Sequence, residues 1–400
     1  MSNQNHQTVY IIAAKRTAVT KAKRGGFAKK RSDELLALLL KDVVNVSKIN
    51  PNDIADVVIG CAFPEAEQGL NIARISVLLA GLPDTVPGLT INRYCSSGLN
   101  AIAIAANMIS MKQAHVVIAG GVENMSQIPM GGNNFSISPD VFVKDHNIGI
   151  AYGMGITAEI VANKWGITRE MQDEFALKSN QKAINAINNN YFYDEILPVE
   201  VSHEMPSEID MQINHIKTTI NCDDGARADT SLEALAKLKP AFANNGSVTA
   251  GNSSQMSDGA SCLVLVSEEY LKQHNLTPIA KFINFNISGV APDVMGIGPI
   301  KAIPAVLKQS GLKLDQIDWI ELNEAFAAQS LAVINELHLD QKIINPYGGA
   351  IALGHPLGAT GAILSTKLIH GLKRTNKKYG IVSMCIGTGM GAAGIIEAIN

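Results

Sequence analysis

Residues 89–121, LTINRYCSSGLNAIAIAANMISMKQAHVVIAGG, decide the fold. LTINRY (89–94) reads as a strand, and HVVIAGG (115–121) returns as another. Between them LNAIAIAANMISMK (99–112) is apolar nearly all round, so this helix needs packing partners on every side. A wholly buried helix between two strands predicts a layered α/β architecture with helices between sheets.

Toward the N-terminus, VYIIAA (9–14) and IADVVIG (54–60) read as buried strands. Ser32 precedes DELLALLLKDVV and is expected to cap a helix packed on a sheet. NIARISVLLAG is an apolar-faced helix closed by Gly81. The stretch between the first strand and Ser32 is basic, holding Lys15, Arg16, Lys21, Lys23, Arg24, Lys29, Lys30 and Arg31; it reads as a solvated loop or as a contact for a negatively charged ligand or partner.

Toward the C-terminus the composition changes after Met125. The segment to about 250 is richer in Asn, charge and turn signals, with helices expected at TAEIVANKW and REMQDEFALKSNQKAINAI and few strong strands. Thr230 and Glu233 have capping-box spacing before LEALAKL. After 257 the α/β rhythm resumes with SCLVLVS and PIAKFINFNI. It carries an internal echo: IADVVIGCAF (54–63) matches IDWIELNEAF (317–326), Asn92-Arg-Tyr94 matches Asn345-Pro-Tyr347, and VVIAGGVENM (116–125) matches IVSMCIGTGM (381–390). Three matches in one order predict two halves of one plan, with residues 125–256 inserted as a lid-like region.

The chain has 400 residues, 46% of them hydrophobic and 17% charged, with 33 Lys plus Arg against 36 Asp plus Glu. Such a near-neutral balance disfavours a nucleic-acid binder driven by phosphate neutralisation, and the apolar content disfavours disorder. Five scattered cysteines without a CxxC pair make neither a disulfide framework nor a zinc knuckle, and no His, Asp, Glu and Cys spacing points to a metal. The polar start MSNQNHQTVY is followed by IIAAKRTAV, which Lys15 and Arg16 interrupt before a signal-peptide core develops, and no run of 18 apolar residues occurs. The expectation is a soluble, cytoplasmic protein of a reducing compartment.

Four residues stand where chemistry is done. Cys95 lies at a strand-to-helix turn, where the helix dipole and free N–H groups lower a thiol pKa; it is a nucleophile or a small core residue. His355, among the glycines of NPYGGAIALGHPLGATGA, is a general base for a thiol or an ordinary hydrogen-bonded histidine. Cys385, ending the strand GIVSM, is a core residue or a second thiol that moves a proton. Asn323, in ELNEAFAA, donates to an oxyanion, orients a water or forms a turn. The glycines around His355 form neither a GxGxxG series nor a GxxxxGK[ST] loop, which disfavours nicotinamide hydride transfer.

NRYCSSGLNAI, GGVENMS, VTAGNSSQMSDGA, ELNEAFA, NPYGGAIALGHPLGATGA and CIGTGMGAAG, in this order and spacing, resemble the thiolase family across almost the whole chain. Together with IGCAFPEAEQGLNIAR, they are most similar to degradative 3-ketoacyl-CoA thiolases. The resemblance implies a duplicated, five-layered α/β/α/β/α core with an inserted loop domain. Its divisions are residues 1–124 (N-terminal half), 125–256 (loop domain binding coenzyme A), 257–278 (return to the N-terminal half) and 279–400 (C-terminal half).

The resemblance also implies roles. Cys95 is acylated, His355 activates it, and Cys385 is the acid/base thiol. Asn323, through water, and His355 form one oxyanion site, while the N–H groups of Cys95 and Gly387 form the other. Arg227 lies near the nucleotide end of coenzyme A and Ser254 near its pantetheine arm. The implied reaction is thiolysis of 3-ketoacyl-CoA to acetyl-CoA and a shortened acyl-CoA in fatty acid β-oxidation, with coenzyme A as cosubstrate and no permanently bound cofactor. A homodimer or homotetramer is expected, and association with β-oxidation multienzyme subunits is among the partners the resemblance admits.

Two departures from the family pattern stand out: Ala18 follows Arg16-Thr17 in place of proline, and Gly153-Met154 replaces the His-Met of the short-chain biosynthetic branch. The second favours the degradative branch. The alternatives are an acetoacetyl-CoA thiolase working in condensation and a non-catalytic acyl-CoA carrier or interaction protein on the same scaffold.

Overall fold

In the computed structural model, which describes residues 7–143, 148–206 and 212–399, the apolar runs become strands of two half-sheets with one plan. In chain order the strands are β1 (Val9–Arg16), β2 (Thr20–Lys21), β3 (Ile54–Gly60), β4 (Leu89–Ile91), β5 (Val116–Asn124), β6 (Val199–Pro206), β7 (Ile213–Ile220), β8 (Ser257–Ser267), β9 (Ala280–Gly289), β10 (Trp319–Leu322), β11 (Tyr379–Ile386) and β12 (Met390–Ala398). The first half-sheet runs β4-β3-β5-β8-β1 and the second β10-β11-β12-β9. They meet where Tyr10 and Ile11 of β1 pair with Lys281 and Ala280 of β9.

The pairing senses repeat. β3 and β5 are parallel, β5 and β8 antiparallel, β8 and β1 antiparallel. Likewise β10 and β11 are parallel, β11 and β12 antiparallel, β12 and β9 antiparallel. The echoed sequences occupy matching places in this plan, β3 with β10 and β5 with β11.

Two helices, Ser97–Ser110 and Leu357–Arg374, pack on each other and on strands of both half-sheets. That position explains an apolar character on every side. Small residues permit the approach: a Cβ on Gly361 would lie 2.4 Å from the Leu99 nitrogen, and one on Gly98 2.8 Å from the Ala362 nitrogen. Helix Ser32–Ser47 packs on β1, β5 and β8, and helix Gly298–Ser310 on β9, β11 and β12, completing α/β/α/β/α. No helix among the described residues is long and apolar enough to cross a membrane.

Residues between β5 and β8 form helices Met154–Trp165 and Arg169–Asn188 and an antiparallel hairpin, β6-β7, whose second strand is exposed. The hairpin corrects the expectation of few strands there; INHIKTTI lies almost wholly in solvent, so no buried face imposes an apolar alternation on it. Two caps also differ. Ser32 lies inside its helix, where its buried hydroxyl donates to Gln68 Oε1 at 3.2 Å, and Arg31 takes the cap position. Helix Leu232–Ala236 is capped by Ser231, whose Oγ accepts the Ala234 N–H at 3.2 Å, one residue later than the Thr230–Glu233 spacing suggested.

Candidate active site

Cys95 sits in the tight turn Tyr94–Ser96 between β4 and the central helix. The turn forces Tyr94 to φ 44°, a conformation costly for an aromatic residue. Neighbours hold it there: Asn92 Oδ1 accepts the Tyr94 N–H at 2.8 Å, and Ser97 Oγ accepts the Arg93 N–H at 2.8 Å while donating to the Tyr94 carbonyl at 2.7 Å. The Cys95 thiol is buried. Burial pushes it up to about 11, although the N–H groups of Gly387 and of Cys95 itself both donate to the sulfur and pull the other way.

Cys385 ends β11 and is buried; burial raises its thiol far above the ordinary range, and charge on Cys95 raises it further. Charge on one of two neighbouring thiols disfavours ionisation of the other, so the two do not readily become thiolates together.

His355 lies just ahead of helix Leu357–Arg374. Its backbone N–H donates to the Gln255 carbonyl at 3.0 Å, and its residue bridges to Met256. The ring is gripped at both nitrogens: Nδ1 lies 2.6 Å from Thr360 Oγ1, and Nε2 lies 3.3 Å from Asn323 Nδ2. Burial holds its pKa at about 4, so the imidazole is neutral at neutral pH. Asn323 follows β10, anchored by donation of its N–H to the Ser383 carbonyl at 2.9 Å. Its Oδ1 is buried with no hydrogen-bond partner among the described residues.

Cys95 and Gly387 line a cavity of about 550 Å³ whose wall is largely apolar, including Phe63, Met130, Phe135, Ile150, Met154 and Met295. His355, Asn323 and Cys385 are buried outside that lining. The structure thus joins Asn323 to His355, and Cys95 to Gly387 and Cys385. Leu357, two residues after His355, packs on Cys95. Arg227 and Ser254 lie elsewhere, on the inserted region. Arg227 is exposed, its N–H donating to Asn180 Oδ1 at 3.0 Å, and lines a recess of about 150 Å³ with Thr230, Leu238, Gly251 and Gln255. Ser254 adjoins Gln255 and donates its N–H to the Ala325 carbonyl at 2.9 Å.

Two residues beside the site escaped the reading of the sequence. Thr360 gave no signal beyond its place five residues after His355. Glu123, at the end of an otherwise apolar strand, did give one, since a buried carboxylate there has to be paid for by donors. It accepts from the N–H groups of Ala62, Phe63 and Gly358 at 2.7, 3.3 and 2.8 Å and from Gln68 Nε2 at 2.7 Å, tying β5 to the first turn of helix Leu357–Arg374.

The basic stretch is not one surface. Arg16 is fully buried, bidentate to Asp223 at 2.7 and 2.9 Å and bonded to Glu195 at 2.7 Å. Lys30 and Arg31 pair with Glu34 and Asp33, while Lys23, Arg24 and Lys29 are exposed. Among the described residues no group of three or more His, Cys, Asp or Glu could hold a metal ion.

A duplicated five-layer core that brings a turn-borne thiol to an apolar cavity is the frame of an acyl-transferring enzyme. The sequence pattern of the thiolase N-terminal domain matches residues 9–269, and that of the thiolase C-terminal domain residues 276–398. A 3-ketoacyl-CoA thiolase of Bacillus subtilis is 48% identical over 97% of this chain and 98% of its own. The peroxisomal 3-ketoacyl-CoA thiolase A of Rattus norvegicus is 43% identical over 97% of this chain and 88% of its own. Among solved structures, human mitochondrial 3-ketoacyl-CoA thiolase superposes with a TM-score of 0.88 at 37% identity, covering 98% of this chain and 99% of its own. The acetyl-CoA acetyltransferase of Bacillus anthracis gives 0.88 at 39%, covering 99% and 100%. The chain belongs to the thiolase family and is an enzyme of its acyltransferase chemistry.

The expectation of a cytoplasmic location is corrected by the same comparisons, because relatives from plants, rodents and a yeast at 43–44% identity are named as peroxisomal. A polar, unremarkable N-terminus does not decide the compartment, since some addresses are short receptor-read signals that leave no mark on composition.

Proposed function

We propose that the protein cleaves 3-ketoacyl-CoA with coenzyme A, on substrates carrying a fatty acyl chain. The observation that carries this reading is the largely apolar cavity of about 550 Å³ against Cys95. Apolar side chains such as Phe63, Met130, Phe135 and Ile150 would cover the methylenes of a longer acyl chain.

His355 Nε2 takes the Cys95 thiol proton, and the sulfur attacks the 3-keto carbon. The bond between C2 and C3 breaks, and Cys385 protonates the departing acetyl-CoA enolate. Coenzyme A then gives its thiol proton to Cys385 and attacks the thioester. Cys95 leaves as thiolate and recovers its proton from His355. The Cys95 and Gly387 N–H groups, both directed at the sulfur, suit a thioester oxyanion. The orphaned Asn323 Oδ1 suits an ordered water that, with His355, stabilises the other. Arg227 and Ser254 belong to the coenzyme A path on this reading, and the division at 124/125, 256/257 and 278/279 assigns that path to the inserted region. The chain acts as a homo-oligomer, a reading supported by Leu70, Leu78, Leu79 and Leu89, exposed beside the edge strand β4.

Thiolysis of C4, C8 and C16 3-ketoacyl-CoA tests the substrate class. Burial of each methylene contributes roughly 0.8 kcal/mol, so kcat/KM is expected to rise by up to about two powers of ten from C4 to C8. Activity confined to C4 would favour the acetoacetyl-CoA alternative, which the likeness to an acetyl-CoA acetyltransferase keeps in view.

A further inference from the structure

The buried ring of His355 has one partner that the reaction above does not use. Thr360 Oγ1 lies 2.6 Å from Nδ1, and both side chains are buried, so neither can exchange this contact for bulk water. On the far side of the ring, Nε2 faces the Asn323 amide nitrogen at 3.3 Å. An amide N–H has only a proton to offer, so Nε2 presents its lone pair, and a neutral imidazole then carries its proton on Nδ1. That N–H points at the Thr360 oxygen, which accepts it. With the Asn323 amide in this orientation, the two contacts select one tautomer.

We propose that Thr360 is the positioning residue of the catalytic histidine, its hydroxyl oxygen holding the Nδ1–H tautomer in which the Nε2 lone pair, turned toward the Asn323 amide, can take the Cys95 proton. The inference rests on the assignment of His355 as the base. In the transfer itself the Sγ–H bond breaks, the electron pair stays on sulfur and an Nε2–H bond forms; the Nδ1–H bond to Thr360 persists in the imidazolium. The nature of the partner matters. A carboxylate at this place would stabilise the imidazolium strongly and hold the proton on the ring, whereas a neutral hydroxyl fixes orientation and tautomer with little charge stabilisation, so the proton is returned easily to the departing Cys95. Thr360 owes its place to the first turn of helix Leu357–Arg374, three residues inside it, so a rigid element and not a loop sets the ring's angle.

Thr360→Val removes the hydroxyl at nearly constant shape, and Thr360→Ser restores it. In the full chain, Thr360→Val is expected to lower kcat roughly ten- to a hundredfold with KM for coenzyme A little changed, and Thr360→Ser to recover most of it. Nitrogen-15 spectra of the unsubstituted protein, with His355→Gln identifying the resonance, are expected to show a protonated Nδ1 and an unprotonated Nε2 at neutral pH. Wild-type kcat in folded Thr360→Val, equal losses in the Val and Ser variants, or a proton on Nε2 in the free enzyme would each overturn the proposal; the last measurement stands even if Thr360→Val does not fold. Turnover by His355→Gln separates the two failures. If that variant remains active, the base assignment itself is wrong, whereas an inactive His355→Gln beside a normal Thr360→Val removes Thr360 alone.

Discussion

At the scale of single residues, the site stores its chemistry as unfavourable ionisation. Cys95 rests as a thiol and His355 as a neutral imidazole, because burial penalises both charged forms. The His355 shift is also a statement about stability. Its folded-state pKa of about 4 lies below the ordinary 6.5, so between these values the unfolded chain binds a proton that the native protein refuses. Stability therefore rises with pH through this window; the contribution is fully present above 6.5 and is lost as pH falls through 4. A shift of this size corresponds to on the order of 3 kcal/mol. Comparing denaturant unfolding of the wild type and His355→Gln at pH 7 and pH 4.5 isolates it: the wild type should lose more stability on acidification than the variant. Parallel losses in the two proteins would show that His355 is not buried neutral.

At the scale of elements, the two central helices set the placement of Cys95 and His355, because each residue lies just before one of them. Their closeness depends on glycine at the crossing. A methyl group on Gly361 would press on the Leu99 backbone at 2.4 Å, and backbone cannot rotate away as a side chain can. Gly361→Ala is thus expected to push the helices apart, costing roughly 1–3 kcal/mol and lowering kcat by shifting the Cys95 turn relative to His355. Thermal unfolding and turnover check it together; an unchanged Tm with unchanged kcat would mean that the interface accommodates a methyl group. Glu123 fastens the same junction from the other side, four donors converging on one buried carboxylate. Replacing it would leave several N–H groups unpaired in the interior, each costing about 1–3 kcal/mol.

At the scale of the whole molecule, Arg16 links the core to the inserted region: it projects from β1 and holds Glu195 and Asp223, both buried. Removing the guanidinium would strand two carboxylates in the interior, so the pair sets the placement of the segment leading to Arg227. The other whole-molecule feature is the edge of the first half-sheet. β4 pairs with β3, and helix Ile72–Leu79 beside it exposes Leu78 and Leu79, 51% and 54% accessible, which a lone subunit leaves in water. On the proposed homo-oligomeric reading, this apolar patch beside an open strand edge is where subunits would associate. Light scattering is expected to give two or four times the 42.6 kDa chain mass, and Leu79→Lys to shift it toward one. A monomeric wild type at micromolar concentration would remove the oligomer from the proposed function.

The sequence by itself determined the layered fold and its duplication and singled out four candidate residues for the chemistry, because each leaves a local trace. An all-apolar helix announces burial, two echoed strands announce a repeat, and a cysteine at a strand-to-helix turn or a histidine among glycines occupies a place whose backbone is special. Tertiary structure alone decided the rest. Whether Ser231 or Thr230 caps a short helix turns on which hydroxyl reaches an N–H. Arg16, counted from sequence within a solvated or ligand-binding basic stretch, became a buried link because Asp223 lies 207 positions away in the chain and folds back onto it. Thr360 acquired its place at the His355 ring, and Asn323 its orphaned oxygen, where two segments, one holding Asn323 and one holding His355 and Thr360, are brought together in the core. Hydrogen-bond partners and desolvation are properties of a residue's surroundings in space, and no window of sequence contains them.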